Sequence, residues 1–277
     1  KKVDSLLRGH VGAELAAMLR DAAPAVAVMA PALPSQGRVT IDGCQWMNGE
    51  RLAGADAPHL LGAAGLTCMV VGRNMVRGGQ LAREMTELAK KADVLVCDAE
   101  SDEDLSAIAS AVAVLPRETI WVGSAGLARH IPEALGIAGS APAEQLPGFR
   151  GPIVVIVGSR SPVAHEQVRN IGVKTITLTP EQLRAGCAPA LDLSGDVVIA
   201  IETSGQTVED PELSAALAKW IAPYVDKIGA LVVAGGETAR AVLTKAGITN
   251  LRLLKEVEPG VPLAVSSGVR RLPVITK

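Results

Sequence analysis

Short apolar runs alternate with helical patterns along almost the whole chain. Four runs in the first half predict buried strands, at residues 25–29, 68–72, 93–98 and 119–123. Amphipathic helical patterns flank them, at residues 11–22, 78–91, 102–115 and 124–135. Strands interleaved with helices of this length indicate crossover connections and a mostly parallel sheet that is covered on both faces.

The same alternation returns in the second half. Six strand candidates follow one another, at residues 152–159, 173–179, 196–203, 230–237, 251–257 and 272–277. Helices are predicted near residues 163–171, 211–227 and 237–246. Between the halves, residues 136–152 are rich in proline and glycine and have no period, which is typical of a linker. We therefore predict an α/β protein with two doubly wound, mostly parallel-sheet domains, residues 1–140 and 151–277, and an active site in the cleft between them.

Composition narrows the class of protein. The 277 residues are 48% hydrophobic and carry a net charge of −2, which excludes a general basic surface for nucleic acid. The four cysteines and four histidines are scattered, so we expect free thiols, no disulfides and no protein-built metal site. No apolar run approaches the roughly 20 residues that span a bilayer, so we expect no membrane contact and a cytoplasmic location. A homodimer is expected from base rates alone. The chain starts without methionine and ends at a strand-like run, which indicates a fragment of a longer protein.

Glycine-rich corners follow two strand candidates in the second half. One is Gly158-Ser159, and the other is Gly235-Gly236-Glu237-Thr238. Glycine lets a ligand approach the main chain, and the free N–H groups of the helix that follows favour phosphate oxygens. Many α/β turns contain glycine for backbone reasons only, so these corners alone leave phosphate binding open. A third corner, Gly123-Ser124, is either a structural turn or a ligand contact.

The side chains after the second corner limit what it could bind. Glu237 would repel phosphate, so ribose, the surroundings of a Mg²⁺ ion or a helix N–H suits it better. Thr238 could offer its hydroxyl to phosphate or cap the helix. No Walker loop and no G-x-G-x-x-G motif is present, which disfavours the common dinucleotide fold.

Charged residues also crowd into the opening of the chain. Lys2, Asp4, Ser5 and Arg8 precede Gly9 and a helical pattern. A solvated terminus would be the usual explanation. The planar fork of arginine matches a carboxylate, however, and an aspartate suits a hydroxyl. A small hydroxylated acid therefore fits this mixture.

The opening KKVDSLLRGHVGAEL resembles the K-x-D-S-T-L-R-G-N-x-G-A-E signature of the four-carbon acid sugar kinases, a family long catalogued as a domain of unknown function. Further ordered matches cover nearly the whole chain: APALPSQGR, DAESDEDLSAIA, GSAGLA, VGSRSP, AGGETARAVL and EVEPGVPL. Leu6 and His10 depart from the signature, where threonine and asparagine are usual. The family's opening D-D-x-T-G-A segment and its glycine-rich tail do not appear in the chain.

The resemblance implies an ATP- and Mg²⁺-dependent kinase that phosphorylates the terminal hydroxyl of threonate, erythronate or a 3-oxo-tetronate. Residues 1–140 would bind the sugar acid and residues 151–277 the nucleotide, with domain closure over both. The implied sugar-acid site contains Lys2, Asp4, Ser5, Arg8 and Gly9, with Asp4 as the catalytic candidate that orients or deprotonates the hydroxyl. The implied ATP site contains Ser159, Gly235, Gly236, Glu237, Thr238 and Gly260.

Two other functions stay open at this point. A dinucleotide-dependent oxidoreductase could use the same kind of sheet, and stabilisation by NAD but not by Mg·ADP would favour it. A protein that binds sugar acids without chemistry is the other alternative. It would be excluded by phosphate transfer from ATP to a four-carbon acid.

Overall fold

The computed structural model describes residues 1–22, 25–137, 139, 146, 148–158, 162–202, 210–258, 260–267 and 271–277. The chain divides into two compact units, Lys1–Ser140 and Ala141–Lys277. Each unit is a layered α/β structure with a mainly parallel sheet, which confirms the predicted fold class. In the described part of the chain, no helix combines the length and apolarity that crossing a bilayer requires.

The first unit is built on a four-stranded parallel sheet with the order β5-β6-β1-β7. Its strands are β1 Val26–Ala30, β5 Cys68–Val71, β6 Val94–Cys97 and β7 Thr119–Gly123. Its helices are α1 Val11–Asp21, α2 Ala57–Ala63, α3 Arg73–Val76, α4 Leu81–Leu88, α5 Asp102–Ala113 and α6 Ala125–Ala134.

Both faces of this sheet are covered, as the uniformly apolar strands predict. Val26 and Val28 of β1 belong to a cluster that includes buried residues of α4, α5 and α6. Ala27 and Met29, which alternate with them along the strand, belong to a second cluster with residues of α1 and α2. Helix α2, which precedes β5, and helices α4 and α5, which follow it, lie on opposite faces of the sheet. At the carboxyl end of β1 the connections therefore switch from one face to the other, and ligands of such sheets usually bind at this point.

A small antiparallel sheet in the first unit was not predicted. It has the order β2-β3-β4, with β2 Arg38–Ile41, β3 Cys44–Met47 and β4 Glu50–Asp56. Its two hairpin turns are Asp42-Gly43 and Asn48-Gly49, and all four residues have positive φ. Asp-Gly and Asn-Gly are the dipeptides that such tight hairpins prefer, so the signal was present in the sequence.

The second unit has a seven-stranded sheet with the order β12-β13-β14-β11-β8-β10-β9. Its strands are β8 Ile153–Val157, β9 Thr175–Leu178, β10 Val197–Ile201, β11 Ala230–Ala234, β12 Leu251–Glu258, β13 Val261–Ser266 and β14 Pro273–Thr276. Its helices are α7 Pro162–Asn170, α8 Pro180–Arg184, α9 Pro211–Ile221 and α10 Gly236–Lys245. Five strands are parallel, whereas β13 pairs antiparallel with both β12 and β14. Strand β13 was not predicted.

Candidate functional site

The opening segment Lys1–Gly9 lies at the carboxyl end of the first sheet. The backbone N–H of Val3 donates to the carbonyl of Gly123 at 2.9 Å, and the N–H of Gly123 donates to the carbonyl of Lys1 at 3.1 Å. Lys2 therefore forms a parallel bridge beside the last residue of β7. The Lys2 ammonium donates to the carbonyl of Val3 at 2.6 Å. The segment that contains the predicted substrate-binding residues therefore extends the sheet at its carboxyl edge, where ligands of such sheets usually bind.

Asp4 and Arg8 bind each other. The Nε of Arg8 donates to one carboxylate oxygen of Asp4 at 2.8 Å, and Nη2 donates to the other at 3.0 Å. The pKa of Asp4 is lowered to about 2, mainly by this side-chain hydrogen bond and in smaller part by the backbone N–H groups of Arg8 and Leu6. Asp4 is therefore a fixed anion. The fork of Arg8, which we predicted to hold a substrate carboxylate, holds Asp4 in this structure.

Ser5 is buried, with only 4% of its surface exposed. Its hydroxyl accepts a hydrogen bond from Nη1 of Arg38 at 2.6 Å, and its carbonyl accepts one from Nε2 of Gln45, also at 2.6 Å. Gly9 has φ +91, and a Cβ there would meet no atom within 4 Å. His10 precedes α1 without a side-chain cap, which the asparagine usual in the family could provide.

The ends of the neighbouring strands complete this edge. The buried carboxylate of Asp98, directly after β6, accepts hydrogen bonds from the backbone N–H groups of Asp42 and Gly43, both at 2.9 Å. Burial raises the pKa of Asp98. The Ser124 hydroxyl donates to the carbonyl of Ala32 at 2.6 Å and caps α6 by accepting from the N–H of Gly126. Both hydrogen-bonding functions of Ser124 serve the fold, so the open question about Gly123-Ser124 is answered by a structural turn.

The first unit also has a cavity of about 420 Å³ at the carboxyl ends of β5 and β6. The residues that line it include Gly72, Arg73, Asp98 and Glu100. Arg73 and Glu100 form an ion pair at 2.7 Å. In the described residues of the chain, no group of three or more His, Cys, Asp and Glu side chains could hold a metal ion.

The glycine corner of the second unit lies where β11 meets α10. Gly235 has φ +114, a conformation that side chains rarely adopt, and its N–H donates to the carbonyl of Lys277 at 2.8 Å. Gly236 begins α10, and a Cβ built there would meet no atom within 4 Å. The first turn of α10 has no side-chain cap. Gly235 is thus required by the backbone, whereas nothing in the described packing requires a glycine at position 236.

Glu237 and Thr238 point to different surroundings. Glu237 is exposed and pairs with Arg240 of its own helix at 2.9 Å. Thr238 is 3% exposed, and its hydroxyl lies 3.4 Å from that of Ser214 on α9. A Cβ on Gly158 would come within 2.0 Å of the Thr238 hydroxyl oxygen, so Gly158 makes room for this threonine. The cap position of α10 belongs to Gly235 rather than to Thr238.

Of the two remaining residues that we predicted to bind the nucleotide, the structure describes only Gly260. Ser159 lies outside the described residues. Gly260 has φ +78 and lies in the turn between β12 and β13. Because β13 runs antiparallel to β14 and β14 runs parallel to β11, this turn is at the same sheet edge as Gly235. Two strand spacings, about 10 Å, separate β13 from β11.

Sequence reasoning did not assign a role to three residues that support the first unit's edge. Arg38 and Asp98 lie inside segments that resemble the kinase family, and this resemblance is the sequence feature that could have identified them. Gln45 has no local signal, because its partner Ser5 is 40 residues away in the sequence.

Comparisons with known proteins cover both units. Residues 1–131 match the family model described as a sugar-binding N-terminal domain, and residues 154–277 match the one described as a nucleotide-binding C-terminal domain. A D-threonate kinase of Cupriavidus necator is 36% identical over 99% of this chain and 73% of its own length. A 3-oxo-tetronate kinase of the same species is 31% identical over 66% of this chain and 48% of its own length.

A solved structure from Salmonella typhimurium shares the fold, with a TM-score of 0.74 at 18% identity. The alignment covers 100% of this chain and 76% of that one. Two matched domain models and a relative above 30% identity agree with the motifs at both sheet edges. The chain therefore belongs to the four-carbon acid sugar kinase family.

Proposed function

We propose that this chain transfers the terminal phosphoryl group of ATP to the terminal hydroxyl of a four-carbon sugar acid such as threonate, erythronate or a 3-oxo-tetronate. The first unit binds the acid, and the second binds ATP. The observation that carries the nucleotide half is Gly236: its Cα faces open space at an uncapped helix start, where phosphate oxygens can reach backbone N–H groups. Its relatives named D-threonate kinase support the choice of substrate class.

The residues of the first unit suit a hydroxylated acid. Asp4 stays ionised at every physiological pH and accepts a hydrogen bond from the hydroxyl that is phosphorylated. Its low pKa makes it a weak base, so its role is to orient the hydroxyl rather than to store its proton. Lys2 and Arg8 supply positive charge for the carboxylate. Catalysis of this kind depends mainly on positioning and charge neutralisation.

Mg²⁺ enters with the nucleotide in this proposal. Phosphate oxygens supply most of its ligands, as is common for Mg²⁺ in phosphoryl-transfer sites. Once bound, the ion would neutralise charge on the phosphates. In the second unit, Gly235, Gly236 and Gly260 would lie near the nucleotide, and Glu237 would contact ribose or a water on the ion. A homodimer stays a prediction.

The direct test is phosphate transfer from labelled ATP to a panel of four-carbon acids, with the product position determined by NMR. We expect a 4-phosphorylated acid and dependence on Mg²⁺. Transfer to none of the acids, together with stabilisation by NAD but not by Mg·ADP, would instead support the oxidoreductase. Acid binding without transfer would support a non-catalytic binding protein.

Replacing Arg8 by alanine is expected to raise the KM for the acid by about 10- to 100-fold, because it removes a positive charge from the acid site and releases Asp4, which the Arg8 fork holds. The KM for ATP should change by less than about twofold, since Arg8 lies in the first unit. Steady-state kinetics with each substrate varied in turn measures both. Equal increases in the two KM values would remove Arg8 from the acid site.

A further inference from the structure

The turn from Asp4 to Leu7 holds its backbone in an unfavourable conformation. Leu7 has φ +57, in the left-handed region, yet its side chain is 4% exposed and packs with Val3 and Val11. Left-handed backbone costs a non-glycine residue free energy, and it persists only where the surroundings hold it. The N–H of Leu7 donates to the carbonyl of Asp4 at 2.9 Å, but a single turn hydrogen bond is a weak restraint.

The stronger restraint comes from the antiparallel sheet. The amide of Gln45 donates to the Ser5 carbonyl at 2.6 Å, in the middle of the strained turn. Its amide oxygen accepts from the hydroxyl of Thr40, directly opposite on β2, also at 2.6 Å. Gln45 and Thr40 are both 0% exposed. Because the Ser5 carbonyl can only accept a hydrogen bond, the NH₂ group must face Ser5, and the amide oxygen then accepts the Thr40 hydroxyl proton.

The hairpin that carries Gln45 is fixed to the parallel sheet at its turn and through Thr40. Asp98 binds the N–H groups of the β2–β3 turn. Thr40 and Ala99 exchange two backbone hydrogen bonds, of 2.9 and 3.1 Å. These hydrogen bonds fix the hairpin relative to the carboxyl end of β6. Through Gln45 the hairpin in turn fixes Ser5 and its neighbour Asp4.

The backbone pairing of the hairpin does not need this glutamine. The pairing of β2 with β3 uses backbone groups, and an apolar side chain of equal size would fill the same space without desolvating an amide. A buried amide that satisfies one carbonyl of a strained turn is better explained by the conformation that it holds. We infer that Gln45 is a positioning residue for the sugar acid, which acts by holding the Asp4–Leu7 turn; this inference rests on the proposed kinase function.

The test compares Gln45→Met with the control Thr86→Val. The first change keeps the side-chain volume and removes the hydrogen bonds of the amide to Ser5 and to Thr40. The second removes a hydrogen bond inside α4 of the same unit, between Thr86 and the Ala82 carbonyl. We expect Gln45→Met to lower kcat/KM for the acid by about 10- to 100-fold, as small displacements of reacting groups do, with the KM for ATP within about twofold of wild type. Thr86→Val should leave both unchanged.

Amide hydrogen exchange gives a readout that does not need activity. The N–H groups of Leu6 and Arg8 donate to Asp4, so their exchange reports on the turn. We expect faster exchange in Gln45→Met and not in Thr86→Val. Faster exchange in a chain that phosphorylates none of the acids would refute the proposed function while leaving the restraint by Gln45 in place. Wild-type exchange and wild-type kinetics in Gln45→Met would overturn the inference, as would equal losses towards the acid and ATP.

Discussion

Replacing Gly236 by valine is expected to eliminate ATP binding without unfolding the protein. A Cβ at this position would meet no atom of the described structure within 4 Å, and glycine is among the poorest residues in a helix, so the fold should tolerate the change. The same open space is where the proposed phosphates approach the start of α10. Two added methyl groups there would block that approach.

Thermal unfolding with and without Mg·ATP measures this effect. Nucleotide at about 100 times its Kd should stabilise the wild type by about 2.7 kcal/mol, and we expect no stabilisation of the variant. Gly195→Val is the matched control, since Gly195 is exposed in the same unit and also has open space around its Cα. Unchanged ATP affinity in Gly236→Val would refute the phosphate-binding role of this helix start.

Replacing Asp4 by asparagine is expected to lower kcat by about 10²-fold, the cost of misplacing the reacting hydroxyl that Asp4 orients. Asparagine has the same shape, so its oxygen can still accept from the N–H of Leu6. What is lost is the negative charge that would orient the hydroxyl. Arg8 would lose its partner but is 75% exposed, so water can solvate it at little cost to stability.

Asp192→Asn is the matched control for this kinetic measurement. Asp192 is also a surface carboxylate that a cation, Lys174, holds at a pKa of about 2, but it lies in the second unit. Its loss should leave kcat unchanged. If Asp4→Asn retains kcat within about threefold of wild type, the hydroxyl is oriented by another group.

The pKa of Asp4 also fixes the pH range in which it acts. The folded value of about 2 lies below the ordinary value, so its ion pair contributes stability above about pH 4 and loses that contribution as pH falls towards 2. An acid limb of kcat between pH 5 and 8 would therefore belong to another residue.

Much of the fold could be predicted because buried parallel strands leave a strong local pattern. Apolar runs that lie between helical patterns, such as the run that ends at Gly72, identify strands of both mainly parallel sheets. Strands β2 and β3 have only four residues each and show no uniform apolar run, so the search for such runs missed them. Their turns, at Asp42-Gly43 and Asn48-Gly49, were the better signal.

The candidate site was less predictable for a different reason. Sequence motifs placed Asp4 and Arg8 in one segment, but no spacing rule indicates that their side chains bind each other. Likewise, Gln45 reaches Ser5 only because the hairpin folds back over the end of the sheet. Local patterns identify the segment, and the tertiary hydrogen bonds decide which of its groups remain available to a ligand.

The contact between Gly158 and Thr238 has a consequence for how this corner can change in evolution. The two positions share one small volume, so a side chain gained at 158 requires atoms to be lost at 238. In an alignment of relatives, we expect alanine or serine at the first position to accompany glycine at the second, because a Cβ on residue 158 would lie only 2.7 Å from the Cβ of residue 238. Substitutions directly after β8 and in the first turn of α10 would then occur together among relatives.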